Sequence, residues 1–176
     1  MGESNYKKGK SFEELVCEVL TNNFNTELSD RFASIKIGTN EKKEHVFDFA
    51  SSDKSIVVEC KAYTWTEGDN TPSGKISTFN EAVYFLSFLP KDTIKILCIK
   101  KAYNSKKGKT LAEYYVNQYG HILGDVIIFE ISDEEGGRIE NAWFDQDRVK
   151  NRDKLNLFFD TNSKKSDLSL FTVGEK

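Results

Sequence analysis

Asp48 and the triplet Glu59-Cys60-Lys61 bring two carboxylates and an amine close together in the chain, each within an otherwise apolar run. The runs His45-Val46-Phe47-Asp48-Phe49-Ala50 and Ile56-Val57-Val58-Glu59-Cys60-Lys61 are rich in Val, Ile and Phe, and Ser51–Ser55 between them has the composition of a turn. The pattern predicts a β-hairpin. With the turn centred on Asp53-Lys54, Asp48 stands opposite Glu59. Period-2 alternation then collects Val46, Asp48, Ala50, Val57, Glu59 and Lys61 on one face and Phe47, Phe49, Ile56, Val58 and Cys60 on the other. The second face is wholly apolar and belongs on a core. On the first, like charges directly opposed across a strand pair are destabilising and call for a cation. A divalent metal such as Mg2+ answers that need, because hard cations prefer carboxylate oxygen and keep waters for chemistry. Lys61, with Lys54 nearby, answers it too, and then the hairpin is an ordinary half-exposed one.

A helix upstream can supply a third acid. Ser11 followed three residues later by Glu14 has the form of a capping box, and Phe12, Leu15, Val16, Val19 and Leu20 follow at helical spacing. At about 100° per residue these apolar groups share one face, Glu14 and Glu18 lie opposite, and Glu13 falls at the apolar edge beside Leu20. Glu13 is therefore the acid best placed to look into a site. The plain alternative is a first-turn acid complementing the helix dipole.

The arrangement of Asp48, Glu59 and Lys61 resembles the PD-(D/E)xK phosphodiesterase superfamily, in which an acid on one strand and a Glu-x-Lys on the next form a metal site. Phe47 stands where the motif's Pro would be. Lys8-Gly9-Lys10-Ser11-Phe12-Glu13 is similar to the Lys-Gly-x-x-x-Glu opening of Holliday-junction-resolvase-like members, and points to the same Glu13. The resemblance implies an α/β, restriction-endonuclease-like fold with an αβββαβ core and a central mixed sheet flanked by helices. It also implies Mg2+ or Mn2+ held by Asp48, Glu59, the Cys60 backbone carbonyl and Glu13, with Asp48, Glu59, Lys61 and Glu13 as the catalytic set. The implied activity is hydrolysis of phosphodiester bonds in DNA, duplex or branched, by a restriction-type or repair and recombination endonuclease working as a homodimer. The alternative is a noncatalytic nucleic-acid-binding or assembly module that retains the fold.

The remaining elements follow from periodicity. Helices are expected over Ser11–Asn23, Lys75–Phe88 and Thr110–Tyr119, and strands over Arg31–Gly38, Thr93–Lys100, Asp125–Ile131 and Arg138–Phe144. The apolar runs Ile94–Ile99 and Val126–Phe129 suit buried central strands covered by helices. Residues 1–150 read as one domain, and 151–176 as a C-terminal extension, partly ordered or placed at a dimer contact by its apolar cluster Leu155, Leu157, Phe158 and Phe159. Residues 161–176 are mostly polar and read as a poorly ordered tail.

The chain has 176 residues and 38% hydrophobic content, enough for a core. Its most apolar run, Ala82–Leu89, is far too short to cross a bilayer, and Met1–Lys8 carries no apolar signal region, so no membrane and a cytoplasmic location are expected. Cys17, Cys60 and Cys98 fall in apolar elements without metal-ligand spacing and read as reduced, buried thiols; the two histidines, His45 and His121, lack zinc-site spacing. A net charge of −3 argues mildly against a nonspecific nucleic-acid binder. Clustered lysines offset this, with Lys8 and Lys10 ahead of Glu13, Lys42 and Lys43 before the hairpin, and Lys100, Lys101, Lys106, Lys107 and Lys109 further on. The connection Tyr63–Ser73 directly follows the acid-lysine strand and reads as a substrate loop, in which Trp65 could stack on a base and Lys75 could meet a phosphate.

Overall fold

The computed structural model describes residues 5–68, 70–145, 147–150 and 169–172, and within them every side chain except those of residues 5–10, 135 and 169–172. It is a mixed α/β structure. Three helices, α1 (Asn5–Phe24), α2 (Ser73–Ser87) and α3 (Leu111–Tyr119), pack about eleven strands. The strands are β1 (Leu28–Ser29), β2 (Ser34–Ile37), β3 (Lys43–Val46), β4 (Phe49–Ser51), β5 (Ile56–Lys61), β6 (Ile94–Lys100), β7 (Tyr103–Asn104), β8 (Lys109–Thr110), β9 (Val126–Ser132), β10 (Arg138–Phe144) and β11 (Ser169–Thr172). Seven of these form a mixed sheet in the order β1-β4-β5-β6-β9-β10-β11, while β2-β3 and β7-β8 are separate two-stranded pairs.

The three central strands β5, β6 and β9 run parallel. Right-handed crossovers that advance across a sheet in one direction must put their helices on one face, and α2 and α3 do share one. Alternation along each central strand divides the core accordingly. Val57, Leu97, Ile99, Val126 and Ile128 pack with Phe79 and Leu86 of α2 and Leu111 and Tyr115 of α3. Ile56, Val58, Cys60, Ile96, Cys98, Ile127 and Phe129 pack instead with Phe12, Val16, Val19 and Leu20 of α1. Both faces of the central strands are thus covered, which is why they read as nearly unbroken apolar runs.

The expected hairpin forms in the expected register, with Phe49 paired to Val58 and Ala50 to Val57. Its turn is held by the Ser51 hydroxyl, which donates to Asp53 Oδ1 at 2.6 Å and accepts from the Ile56 N–H at 3.0 Å. The first strand is not continuous, however. The Phe47 N–H donates to the Ala33 carbonyl at 3.1 Å, and β3 pairs with β2 in its own sheet. The chain bends at Asp48 as a result. Phe47 joins the core on the α2 side, opposite to Phe49, and Val46 is left 69% exposed. Both depart from the alternation expected of an unbroken strand.

Three further departures concern the ends of elements. Helix α1 starts at Asn5, so Ser11 is interior to it and the Ser11–Glu14 capping box does not form. A capping box forms on α3, where Thr110 Oγ1 accepts from the Glu113 N–H at 3.1 Å and Glu113 Oε2 accepts from the Thr110 N–H at 2.6 Å. The Arg31–Gly38 strand is shortened to β2 by a 3-10 turn over Asp30–Phe32. Residues 169–172 of the expected poorly ordered tail form β11, parallel to β10. The apolar cluster Leu155–Phe159 lies outside the described residues.

Candidate active site

Strand β5 ends in the acid-lysine triplet, and the bend at Asp48 decides how the second acid meets it. Beyond Phe49 and Val58 the hairpin ladder stops, and the Asp48 side chain replaces the backbone acceptor. The Cys60 N–H donates to Asp48 Oδ2 at 2.6 Å. A charged acceptor makes this one of the stronger kinds of hydrogen bond. It fixes the Asp48 carboxylate against the backbone between Glu59 and Lys61.

Lys61 Nζ donates to Glu59 Oε1 at 2.7 Å, with the two side chains 17% and 15% exposed. The other carboxylate oxygen, Glu59 Oε2, is buried and has no hydrogen-bond partner. Burial raises the Glu59 pKa to about 7, and the Asp48 charge pushes in the same direction against Lys61. Burial likewise raises Asp48, opposed by its bond from Cys60. For Lys61 burial acts downward, yet Glu59 and Asp48 together outweigh it and raise the ammonium. Two carboxylates thus share one ammonium, and one lone-pair-rich oxygen is left over. Such a site is short of positive charge, and a hard divalent cation fits that deficit and the all-oxygen donors on offer.

A cleft of about 890 Å³ opens beside the site, lined by Asp48, Cys60 and Lys61 of the hairpin, Tyr63 and Thr64 of the loop after it, and Lys75 at the start of α2. Glu13, Glu14 and Glu18 of α1 also line it, as do Lys100 and Asp133. Glu13 therefore lies where the sequence reading put it, on the cleft. Because α1 begins eight residues before it, Glu13 is not a first-turn acid, and the dipole alternative does not apply. Its charge reaches Glu59. Among the described residues, no three His, Cys, Asp or Glu side chains close into a metal cage. Asp48, Glu59 and Glu13 thus do not form one such cluster.

The other residues expected to touch nucleic acid divide sharply. Lys75 lines the cleft, its ammonium 5.4 Å from the centre of the Tyr63 ring. Trp65 is half-buried: its Nε1–H donates to the Ala102 carbonyl at 2.8 Å, its ring packs edge-on against Tyr114 at 5.7 Å, and the Lys107 ammonium lies 5.7 Å from the ring centre. Lys42 lines a separate groove of about 630 Å³ with Ile37 and Phe88, and Lys43 is exposed on β3. The side chains of Lys8 and Lys10 lie outside the described residues. His45 stacks on Phe85 at 4.0 Å, and burial lowers its pKa. The Cys60 side chain is buried in the α1-side core, where burial and Cys98 raise its thiol.

The sequence reading did not single out Asp133, nor assign Lys100 to the site. Lys100 carried a usable signal, since it ends an apolar strand as Lys61 does. Asp133 carried none, because its position depends on the β9–β10 turn. Glu130 was missed as well. It interrupts an apolar strand, is 0% exposed, accepts from Asn141 Nδ2 at 2.6 Å and has a second, unpartnered oxygen. Its burial raises its pKa.

What fold and site define together is a mixed α/β protein whose central sheet ends in an acid-acid-lysine cleft. No family model matches the chain, and no curated protein matches it. Among solved structures it is similar to that of Pyrococcus furiosus SfsA in complex with Ca2+, at 17% identity and a TM-score of 0.39, over 77% of this chain and 62% of that one. The chain therefore spans less than two thirds of that protein's length. Among the described residues, no helix is long and apolar enough to cross a membrane.

Proposed function

We propose that this protein is a metal-dependent nuclease with a restriction-endonuclease-like core, hydrolysing phosphodiester bonds, foremost in DNA. The observation that carries the reading is the buried, unpartnered Oε2 of Glu59, beside a second carboxylate and a lysine at the edge of an open cleft. A chain that needed only structural neutrality would not bury two acids against one ammonium, since an unpaired buried charge is costly. Along the first 100 residues the helices and the strands of the seven-stranded sheet run α1, β1, β4, β5, α2, β6, an αβββαβ order with the separate β2-β3 pair inserted.

Asp48, Glu59 and the Cys60 carbonyl would hold Mg2+ or Mn2+, with Glu13 assisting from α1. When bound, the ion supplies Lewis acidity toward the phosphate and the positive charge this site lacks. The chain's own residues do the rest. The bond from the Cys60 N–H fixes one Asp48 oxygen and so orients the other. Glu59 holds the Lys61 ammonium at the cleft wall, where it orients the attacking water and offsets the charge that grows on the phosphate oxygens. Lys75, at the mouth, fixes the flanking backbone as a point charge. On duplex DNA, a two-fold dimer would present one such cleft to each strand.

The test is cleavage of supercoiled and linear plasmid DNA with Mg2+ or Mn2+, beside an EDTA control and a Lys61→Ala protein. Metal-dependent products that vanish in the variant are expected. Equal inertness of wild type and variant on DNA and on RNA, together with no metal affinity by calorimetry, would sink the reading.

A further inference from the structure

We infer that the β7–β8 hairpin is a docking surface for unpaired nucleotides, with Tyr103 as a stacking platform for a base and Lys107 and Lys109 as phosphate contacts. The inference rests on the nuclease reading and narrows its substrate to DNA that carries a single-stranded stretch beside the cleft. Its basis is the grouping of these side chains. Tyr103 is 63% exposed, and among the described residues no other ring packs on it. The chain from Lys100 to Thr110 holds five lysines and no acid. Lys100 and Lys101 are engaged by Asp133 and Glu140, and Lys106 has a partner of its own. Among the described residues, Lys107 and Lys109 form no ion pair.

A run of lysines alone would be an ordinary solvated edge, and the open aromatic ring among them is what selects the partner. Single strands bind where rings meet base faces and cations track the phosphates, and every base has a face to offer. In a duplex those faces are already stacked on one another, so a duplex offers this hairpin only its backbone. The Lys107 ammonium lies 5.7 Å from the centre of the Trp65 ring. It is held by an aromatic face instead of a carboxylate, so a phosphate can reach it without displacing an acid.

The hairpin is braced, which limits the freedom lost when a strand settles on it. At its base, the Ala102 carbonyl accepts from the Leu111 N–H at 2.9 Å and from the Trp65 Nε1–H at 2.8 Å. At its tip, Asn104 is 3% exposed; its Oδ1 accepts from the Lys107 N–H at 3.0 Å and its carbonyl from the Gly108 N–H at 2.9 Å. Position ties the hairpin to the site. Lys100 lines the cleft, and Tyr103 follows three residues later, at most about 11 Å along the chain. Thr64 lines the cleft as well, and its neighbour Trp65 bonds the hairpin base.

The test is fluorescence anisotropy of a labelled DNA oligonucleotide, as a single strand and annealed to its complement, titrated with the full chain in EDTA across a salt series. Wild type is expected to bind the single strand about threefold or more tighter than the duplex. Tyr103→Ala should weaken single-strand binding about tenfold and duplex binding by less than about twofold, while Tyr103→Phe keeps the wild-type affinity for both. Lys107→Gln combined with Lys109→Gln should flatten the single-strand slope of log affinity against log salt by roughly 1.4, two phosphate contacts at about 0.7 each. Rescue by Phe and a changed salt slope are results that loss of structure would not produce. Equal affinity for single strand and duplex, wild-type binding by Tyr103→Ala, or no oligonucleotide binding at all overturns the inference. Metal-dependent plasmid cleavage by the same preparation then leaves the nuclease reading standing, and that reading falls only on its own test.

Discussion

Two half-buried carboxylate-lysine pairs lie on or beside neighbouring strands of one sheet. Lys95 and Asp125, at the start of β6 and just before β9, pair at 2.6 Å; Glu59 and Lys61, at the end of β5, pair at 2.7 Å. In the first, one ammonium that is only 2% exposed meets one carboxylate that still reaches solvent at 22%. In the second, the ammonium must serve Asp48 as well, and Glu59 Oε2 is left without a partner. The difference teaches that a buried ion pair is not by itself a sign of function. A balanced pair needs nothing more, whereas an unbalanced one beside a cleft is poised to take a cation.

The comparison can be broken from its structural side first. Lys95→Ala removes one partner of the balanced pair and should cost about 3–5 kcal/mol of stability, read by denaturant unfolding. It should leave cleavage per folded molecule unchanged, and a loss of activity in folded protein would erase the distinction drawn here. Lys61→Ala should lower cleavage by about two to three orders of magnitude in single-turnover assays on protein whose circular dichroism is native.

Glu59→Gln sharpens the point through stability. It removes a charge that burial and Asp48 disfavour, so in EDTA at pH 8 it should stabilise the fold by roughly 1–3 kcal/mol while abolishing the stabilisation given by Mg2+. Its pH dependence has a definite sign. A folded-state pKa of about 7, raised from 4.5, means that the folded protein holds the Glu59 proton more tightly than the unfolded chain does. This contribution to stability is fully present below pH 4.5 and is lost as pH rises through 7. In EDTA the melting temperature of wild type should therefore fall between pH 5 and 7.5 relative to Glu59→Gln. Parallel melting curves across that range would remove the case for an uncompensated acid.

Smaller effects test the frame around the site. Gly137 adopts a φ of +85°, and a Cβ there meets Leu15, so Gly137→Ala should cost about 1–3 kcal/mol. Trp65→Phe loses the bond to the Ala102 carbonyl and should cost about 1 kcal/mol. Nucleic-acid affinity should stay the same, because Phe keeps an aromatic ring against Tyr114. A large loss of affinity on that change would restore Trp65 to the binding surface.

The sequence by itself determined the register of β4 on β5, which brings Asp48 near Glu59 without pairing the two in the ladder. It could do so because alternation and a short turn are local constraints, and a slip of one residue would send every apolar side chain to the wrong face. It also determined the α1 face that carries Phe12, Val16 and Glu13, and the apolar central strands β6 and β9, for the same reason of period. What only the tertiary structure decided lies at the ends and breaks of elements. Phe47 leaves its strand because its N–H finds the Ala33 carbonyl, fourteen residues away. That detour bends the chain at Asp48 and lets its carboxylate take the Cys60 N–H. Helix α1 runs past Ser11 back to Asn5, and β11 forms only by docking on β10, so neither has a local signal strong enough to read. Lys100 and Asp133 come from distant points in the chain and meet only through the packing of β6 beside β9. Periodicity fixes which way a side chain faces; which side chains then share a cleft is decided by contacts between segments far apart in sequence.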